Sequence, residues 1–130
     1  MWTEILRGKI ETRSARVSVI GLGYVGLSFA VELAKAGLVV RGTDLDCERV
    51  SLLNRGESYL VDVPSEALSG LKLTSVEPTP ATIGAADCVL ILTSHSKVDG
   101  AAIAEKARLV VDTRNLLWKY RQNHDSLVTL

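Results

Sequence analysis

The chain is 130 residues long, with 15 basic and 15 acidic side chains and a formal net charge of zero. That length fits one domain able to bury roughly two thirds of the surface its unfolded chain exposes, so neither disulfides nor a structural metal is required. The balanced charge disfavours a nucleic-acid partner. No apolar run approaches the roughly 18 residues of a membrane span, and the charged residues 1–14 lack the apolar core of a signal peptide, so the expected compartment is the cytoplasm.

Trp2, Ile5, Leu6 and Ile10 are spaced as one face of a short amphipathic helix over 2–10, packed on the domain or on a partner. Residues 15–20 read as a strand. Residues 24–36 have helical periodicity, with Gly37 as the C-cap. A second strand follows over 38–43. Asp46 is a suitable N-cap for a helix running to about residue 54. Residues 55–70 form a long connection, with a helical turn beginning at Pro64 and Ser65. Connections of that length are often functional. Residues 71–76 are a weaker strand. Thr79 and Pro80 read as an N-cap followed by proline at the first helical position, opening a short helix that ends near residue 86. Residues 88–93 are an apolar strand of the kind buried on both faces, 100–107 a helix, 109–112 the last strand, 116–122 a helix, and 123–130 a polar tail.

Apolar residues make up 47% of the chain and aromatics only 5%, so the core is aliphatic. The alternation of strands and helices predicts an α/β domain over 1–122. Its sheet is a single Rossmann-like, doubly wound parallel sheet of about five strands in the order 3-2-1-4-5. The two thiols, Cys47 and Cys88, match no metal-ligand spacing, and no metal site is expected. Cys88 opens an apolar strand, and Cys47 lies between Asp46 and Glu48, whose charge disfavours a thiolate.

The chemistry-bearing motif is Gly-Leu-Gly-Tyr-Val-Gly at 21–26, between the first strand and its helix. Gly21 permits the tight turn, Gly23 lets a pyrophosphate approach the backbone, and Gly26 lets the helix pack closely on the sheet. The helix start, with the amides of Tyr24 and Val25, presents free donors and a partial positive charge. Asp44 ends the second strand about 20 residues on, placed to accept hydrogen bonds from the adenosine ribose and to repel a 2′-phosphate, which favours NAD over NADP. Arg49, one helical turn beyond, either lies near the adenine ribose or is a solvated helix charge. FAD and S-adenosylmethionine use similar turns and remain alternatives, and a bend without any ligand is the bland reading.

Three stretches carry a family resemblance: Val-Ile-Gly-Leu-Gly-Tyr-Val-Gly-Leu-Ser (19–28), Gly-Thr-Asp-Leu-Asp (42–46) and Asn-Arg-Gly-Glu-Ser-Tyr-Leu-Val-Asp-Val-Pro-Ser-Glu (54–66). Together they resemble the start of the UDP-glucose/GDP-mannose dehydrogenases, nucleotide-sugar 6-dehydrogenases, over about residues 1–70. The Gly-Glu-Ser-Tyr stretch is most similar to the branch acting on UDP-N-acetylhexosamines. Residues 85–96 and 109–115 look like the C-terminal UDP-binding part of the same family, although Ser94 stands where that family usually has an acid. The resemblance implies two family parts, 1–70 and 75–122, joined near Ser69 to Ser75.

It also implies NAD as cofactor and a role in polysaccharide biosynthesis. A hybrid sheet would bring Thr93, Ser94 and His95 to the end of the fourth strand, beside the glycine turn. Arg114 would follow the fifth strand, near a nucleotide phosphate or paired with Asp112 or Glu105. The family oxidises a sugar C6 alcohol through a thiohemiacetal and thioester on a cysteine in a Gly-Gly-x-Cys segment. That segment, its partner lysine and asparagine, and the dimer-forming central helix do not occur in these residues.

No catalytic residue is therefore assigned, and the expectation is an NAD-binding domain that is inactive alone. The alternatives are a dehydrogenase component completed by another chain, with a UDP-sugar as substrate, and a structural remnant without ligand. A homodimer through the apolar face around Trp2 and Ile5 is compatible with the sequence.

Overall fold

The computed structural model describes residues 2–69, 73–75, 79–93, 100–123 and 127–129. The short apolar runs form one sheet from β1 (Arg16–Ile20), β2 (Val39–Thr43), β3 (Leu73–Ser75), β4 (Cys88–Ile91), β5 (Val110–Asp112) and β6 (Leu127–Thr129). Their spatial order is β3-β2-β1-β4-β5-β6, and each neighbouring pair is parallel. The five expected strands and their order are present. The sixth lies within the stretch read from sequence as a polar tail, where Leu127 pairs with Val110 and Val128 with Val111. The open edge of β5 supplies its hydrogen-bond partners.

Among the described residues five α-helices accompany the sheet: α1 (Trp2–Glu11), α2 (Tyr24–Lys35), α3 (Cys47–Asn54), α4 (Pro80–Gly84) and α5 (Gly100–Lys106). Their ends follow local chemistry. Asp46 caps α3, its carboxylate accepting from the amides of Glu48 and Arg49. Thr79 and Thr82 form a reciprocal capping box on α4, with Pro80 where no amide is needed. After α2 the chain reverses at Gly37, whose φ of +94° suits glycine. Residues 65–68 form a 3-10 turn, as do Trp118–Asn123, where an α-helix was expected over 116–122. There the amides of Arg114, Leu116 and Leu117 are claimed by the buried Asp112 carboxylate, which holds the chain in a tight loop up to the start of that turn.

Because strand side chains alternate, the sheet has two apolar faces. Val17 and Val19 of β1 and Val40 of β2 pack with Leu27, Ala30, Val31 and Ala34 of α2 and with Leu53 of α3. Ile20, Val89, Ile91 and Val110 pack on the other side with Ile83 of α4 and Ile103 of α5. The chain changes sides between β3 and β4, which places a crevice at the carboxyl ends of β1 and β4.

The apolar face of α1 is divided between the core and the surface. Leu6 is buried, but Ile5 and Ile10 are exposed. Besides Leu6, which joins the core, the helix reaches the body through charge. Lys9 Nζ stands 2.8 Å from Asp87 Oδ1, and the other oxygen of that carboxylate accepts from the Arg16 amide at 2.8 Å. Burial alone would raise the Asp87 pKa, but the Lys9 ammonium and the Arg16 amide outweigh it and hold the carboxyl below its ordinary range.

Candidate functional site

The glycine turn sits where β1 ends. Gly21 takes φ +98° and its amide donates to the Thr43 carbonyl at 2.9 Å, continuing the β1–β2 pairing into the turn. A Cβ at Gly21 would stand 2.7 Å from Cβ of Thr93, so the turn lies directly against the chain leaving β4. A Cβ at Gly26 would stand 1.7 Å from the Gly21 carbonyl oxygen, so only glycine lets α2 begin this close to β1. Leu22 is fully buried. It fits because Gly42 of β2 faces it: a Cβ there would lie 2.5 Å from Leu22 Cδ2.

The backbone of Leu22 is held from both sides. Its amide donates to Asp44 Oδ2 at 2.8 Å. Its carbonyl accepts from the Tyr59 hydroxyl at 2.5 Å. The second Asp44 oxygen accepts from the Asp46 amide at 2.8 Å. Arg49 NH1 lies 3.4 Å from Asp44 Oδ2, and its Nε 3.7 Å from Asp46 Oδ2. Asp44 is therefore a largely buried carboxylate at the mouth of the crevice with its charge partly met. Two oxygens with about four lone pairs accept three protein donors, which leaves room for a ligand hydroxyl.

The helix start that follows has an unusual feature. Gly23 is the N-cap of α2, no side chain caps it, and the first turn carries no acid. The first helical bond there runs from the Leu27 amide to the Gly23 carbonyl, so the amides of Gly23, Tyr24 and Val25 precede the ladder. Among the described residues no protein group accepts from them. Three donors and the positive end of a 12-residue helix thus converge on one spot. A methyl at Gly23 would meet nothing nearer than Arg49 NH1 at 3.8 Å. That leaves a cradle floored by backbone amides and bordered by a guanidinium, a donor set suited to a diphosphate.

The residues picked out by sequence are distributed as follows. Gly21, Gly23, Tyr24, Val25, Gly26, Asp44, Arg49 and Thr93 surround this crevice. Tyr24 and Val25 are exposed on α2. Arg49 is not a lone solvated charge, since it contacts Asp44, Asp46 and the Tyr59 ring, 5.7 Å from its guanidinium carbon. Ser94 and His95 lie outside the described residues. Arg114 follows β5, where its amide donates to Asp112 Oδ1 at 3.1 Å. Neither thiol joins the site: burial pushes the Cys88 pKa up to about 11, and Cys47 is exposed at the start of α3.

Two contributors had no role assigned from sequence, Tyr59 and Asp62. Burial, followed by the Asp44 charge, pushes the Tyr59 pKa up to about 12, so its hydroxyl stays a donor. The Tyr24 hydroxyl donates to Asp62 Oδ2, and that bond raises the tyrosine's pKa. Both contacts fasten the connection after α3 onto the turn. Their sequence signals were the length of that connection and its place in the family-like stretch 54–66, neither of which assigns a contact.

A family model described as the NAD-binding domain of the UDP-glucose/GDP-mannose dehydrogenase family matches residues 15–107. UDP-N-acetyl-D-mannosamine dehydrogenase of Escherichia coli is 44% identical over 48 residues, 37% of this chain and 11% of that protein. GDP-mannose 6-dehydrogenase of Pseudomonas aeruginosa is 42% identical over 53 residues, 41% of this chain and 12% of that protein. Among solved structures, a UDP-glucose dehydrogenase from Pyrobaculum islandicum aligns with a TM-score of 0.67 at 26% identity, covering 89% of this chain and 34% of that one. Shikimate dehydrogenase from Aquifex aeolicus shares the fold at 17% identity and a TM-score of 0.63, covering 98% of this chain and 48% of that one. The chain thus spans about a third of the solved dehydrogenase and matches about a tenth of the curated ones.

Proposed function

Because the chain belongs to the UDP-glucose/GDP-mannose dehydrogenase family, whose NAD-binding domain it carries, we propose that it binds NAD across the turn 21–26. In this reading it serves as the cofactor-binding unit of a nucleotide-sugar 6-dehydrogenase. The observation that carries the reading is the uncapped start of α2 beside Asp44. The amides of Gly23, Tyr24 and Val25 would take the pyrophosphate, and Asp44 would accept from the adenosine ribose. Arg49 would border the phosphates, and Thr93 would line the far side of the crevice. NAD supplies the hydride acceptor when bound; these residues orient it.

The family match spans residues 15–107. That span favours reading 75–107 as the second half of the same NAD-binding domain over a join to a UDP-binding part near residues 69–75. The local identities to a UDP-sugar and a GDP-sugar enzyme are 44% and 42%, too close to choose the nucleotide. A UDP-sugar substrate rests on the Gly-Glu-Ser-Tyr resemblance alone. Oxidation of an alcohol to a carboxylate through a thioester needs a reactive thiolate. Cys88 has a raised pKa within β4, and Cys47 sits between two acids, so these residues are proposed to bind the cofactor without turning over a sugar by themselves.

The test is a titration of the chain with NADH, NADPH, FAD and S-adenosylmethionine, followed by ligand fluorescence and melting temperature. NADH is expected to bind best and to stabilise by about 2.7 kcal/mol at a hundred times its dissociation constant. Tighter binding of FAD or S-adenosylmethionine would overturn the reading. An assay for NADH production from UDP-sugars by the pure chain is expected to read zero, and sustained production would refute the proposed lack of turnover.

A further inference from the structure

The connection after α3 lies outside the glycine motif, yet one of its side chains touches both walls of the cradle. The Tyr59 hydroxyl donates to the Leu22 carbonyl inside the turn. Its ring lies 5.7 Å from the Arg49 guanidinium carbon. Arg49 NH1 in turn stands 3.4 Å from Asp44 and 3.8 Å from where a methyl at Gly23 would be. An arginine side chain that is 41% exposed has many rotamers to lose before it can serve one geometry. Asp44 restrains it along one direction only. An aromatic face restrains a guanidinium along another and attracts its charge.

We propose that Tyr59 is a positioning residue of the cofactor site, holding the Arg49 guanidinium toward the anionic cofactor at Gly23. The inference rests on reading the glycine turn as the NAD site. The ring does the holding, and the hydroxyl anchors the ring to the turn it serves. Arg49 is long enough to leave the cradle, and without the ring its charge would be shared between Asp44, Asp46 and water. The connection after α3 therefore contributes to cofactor affinity without touching the cofactor.

A double-mutant cycle on NADH affinity, read by fluorescence titration of the full chain, tests this. Tyr59→Leu is expected to raise the NADH dissociation constant about three- to tenfold, whereas Tyr59→Phe, which keeps the ring but loses its anchor at Leu22, is expected to raise it less than Tyr59→Leu does. In an Arg49→Gln background, Tyr59→Leu is expected to add less than about twofold. A merely structural tyrosine would shift the unfolding midpoint of both proteins and leave the two losses additive. Additive losses, or a Tyr59→Leu protein with parental affinity, overturn the proposal. Should Tyr59→Leu not fold, Tyr59→Met takes its place in the same cycle. A parent chain that takes up no NADH overturns the site reading and this inference together. A parent that binds NADH while the losses add overturns the inference alone.

Discussion

At the scale of single residues, Asp44 does two jobs with one carboxylate. It accepts from the Leu22 and Asp46 amides, and so shapes the turn, and in the proposed reading it also accepts from the adenosine ribose. Asp44→Ala should therefore weaken NADH binding by about 1.5–3 kcal/mol and narrow the preference over NADPH. It should also lower the unfolding free energy, because two backbone donors lose their acceptor. Fluorescence titration and urea unfolding of the same protein separate the two effects; unchanged NADH affinity would remove Asp44 from the ribose site.

Asp87 gives a test in pH. Its carboxyl is held below its unfolded value by Lys9 and the Arg16 amide despite burial. A depressed folded pKa contributes stability above the unfolded value of about 3.9, lost as pH falls through the folded one. Asp87→Asn is expected to cost about 1–2 kcal/mol at pH 7, discounted because Lys9 is partly exposed. That difference from the parent should shrink as pH falls through the depressed folded pKa and be lost once the carboxyl is protonated in both states. Equal stability of the two proteins at pH 7 would contradict the assignment.

At the scale of elements, the junction of β1 with α2 depends on two glycines for different reasons. The Gly26 contact is with backbone, 1.7 Å from the Gly21 oxygen, so no side-chain adjustment relieves it. Gly26→Ala should cost about 3 kcal/mol or more and abolish NADH binding, measured by chemical unfolding and titration. The Gly42 contact is with a side chain, Leu22. Gly42→Ala should cost about 1–3 kcal/mol. Adding Leu22→Ala should recover part of that loss, so that the double variant is more stable than the two single losses predict.

The role of Gly26 was legible in sequence, because G-x-G-x-x-G after a strand implies that close approach. That of Gly42 was not, because it depends on register, which sets Gly42 beside Val19 and turns it toward Leu22. The same limit explains Tyr59 and Asp62. Their partners Leu22 and Tyr24 lie 37 and 38 positions away, and no local pattern encodes contacts at that range. Helix caps at Asp46 and Thr79 were readable because they are satisfied within three residues. The 3-10 turn at 118–123 was not, because its geometry follows from a buried aspartate drawing in three amides.

At the scale of the whole molecule, β1 is the centre of the sheet, paired with β2 on one side and β4 on the other. Strand order was legible because alternating strands and helices leave few right-handed ways to wind a sheet. The outermost strand was missed because residues 123–130 read as a polar tail, and its pairing with β5 is set by the fold and not by local pattern. Native-state hydrogen exchange should grade accordingly: amides of β1 and β4 exchange slowest, near the global unfolding rate, and those of β6 fastest, through local opening. Equal protection of β6 and β1 would contradict this ordering.

The place of Asp87 has a consequence for how the chain is made. It joins Lys9 and Arg16 across 78 and 71 positions of sequence, and β1 lacks one of its two neighbours until β4 exists. On a ribosome adding about 5–20 residues per second, that is on the order of 4–15 s of waiting. For that interval the nascent chain exposes one long edge of its future central strand while the glycine turn behind it is already synthesised. A chaperone that shields strand edges would find its client there, and the first helix would settle only after residue 87 is made although it emerges first.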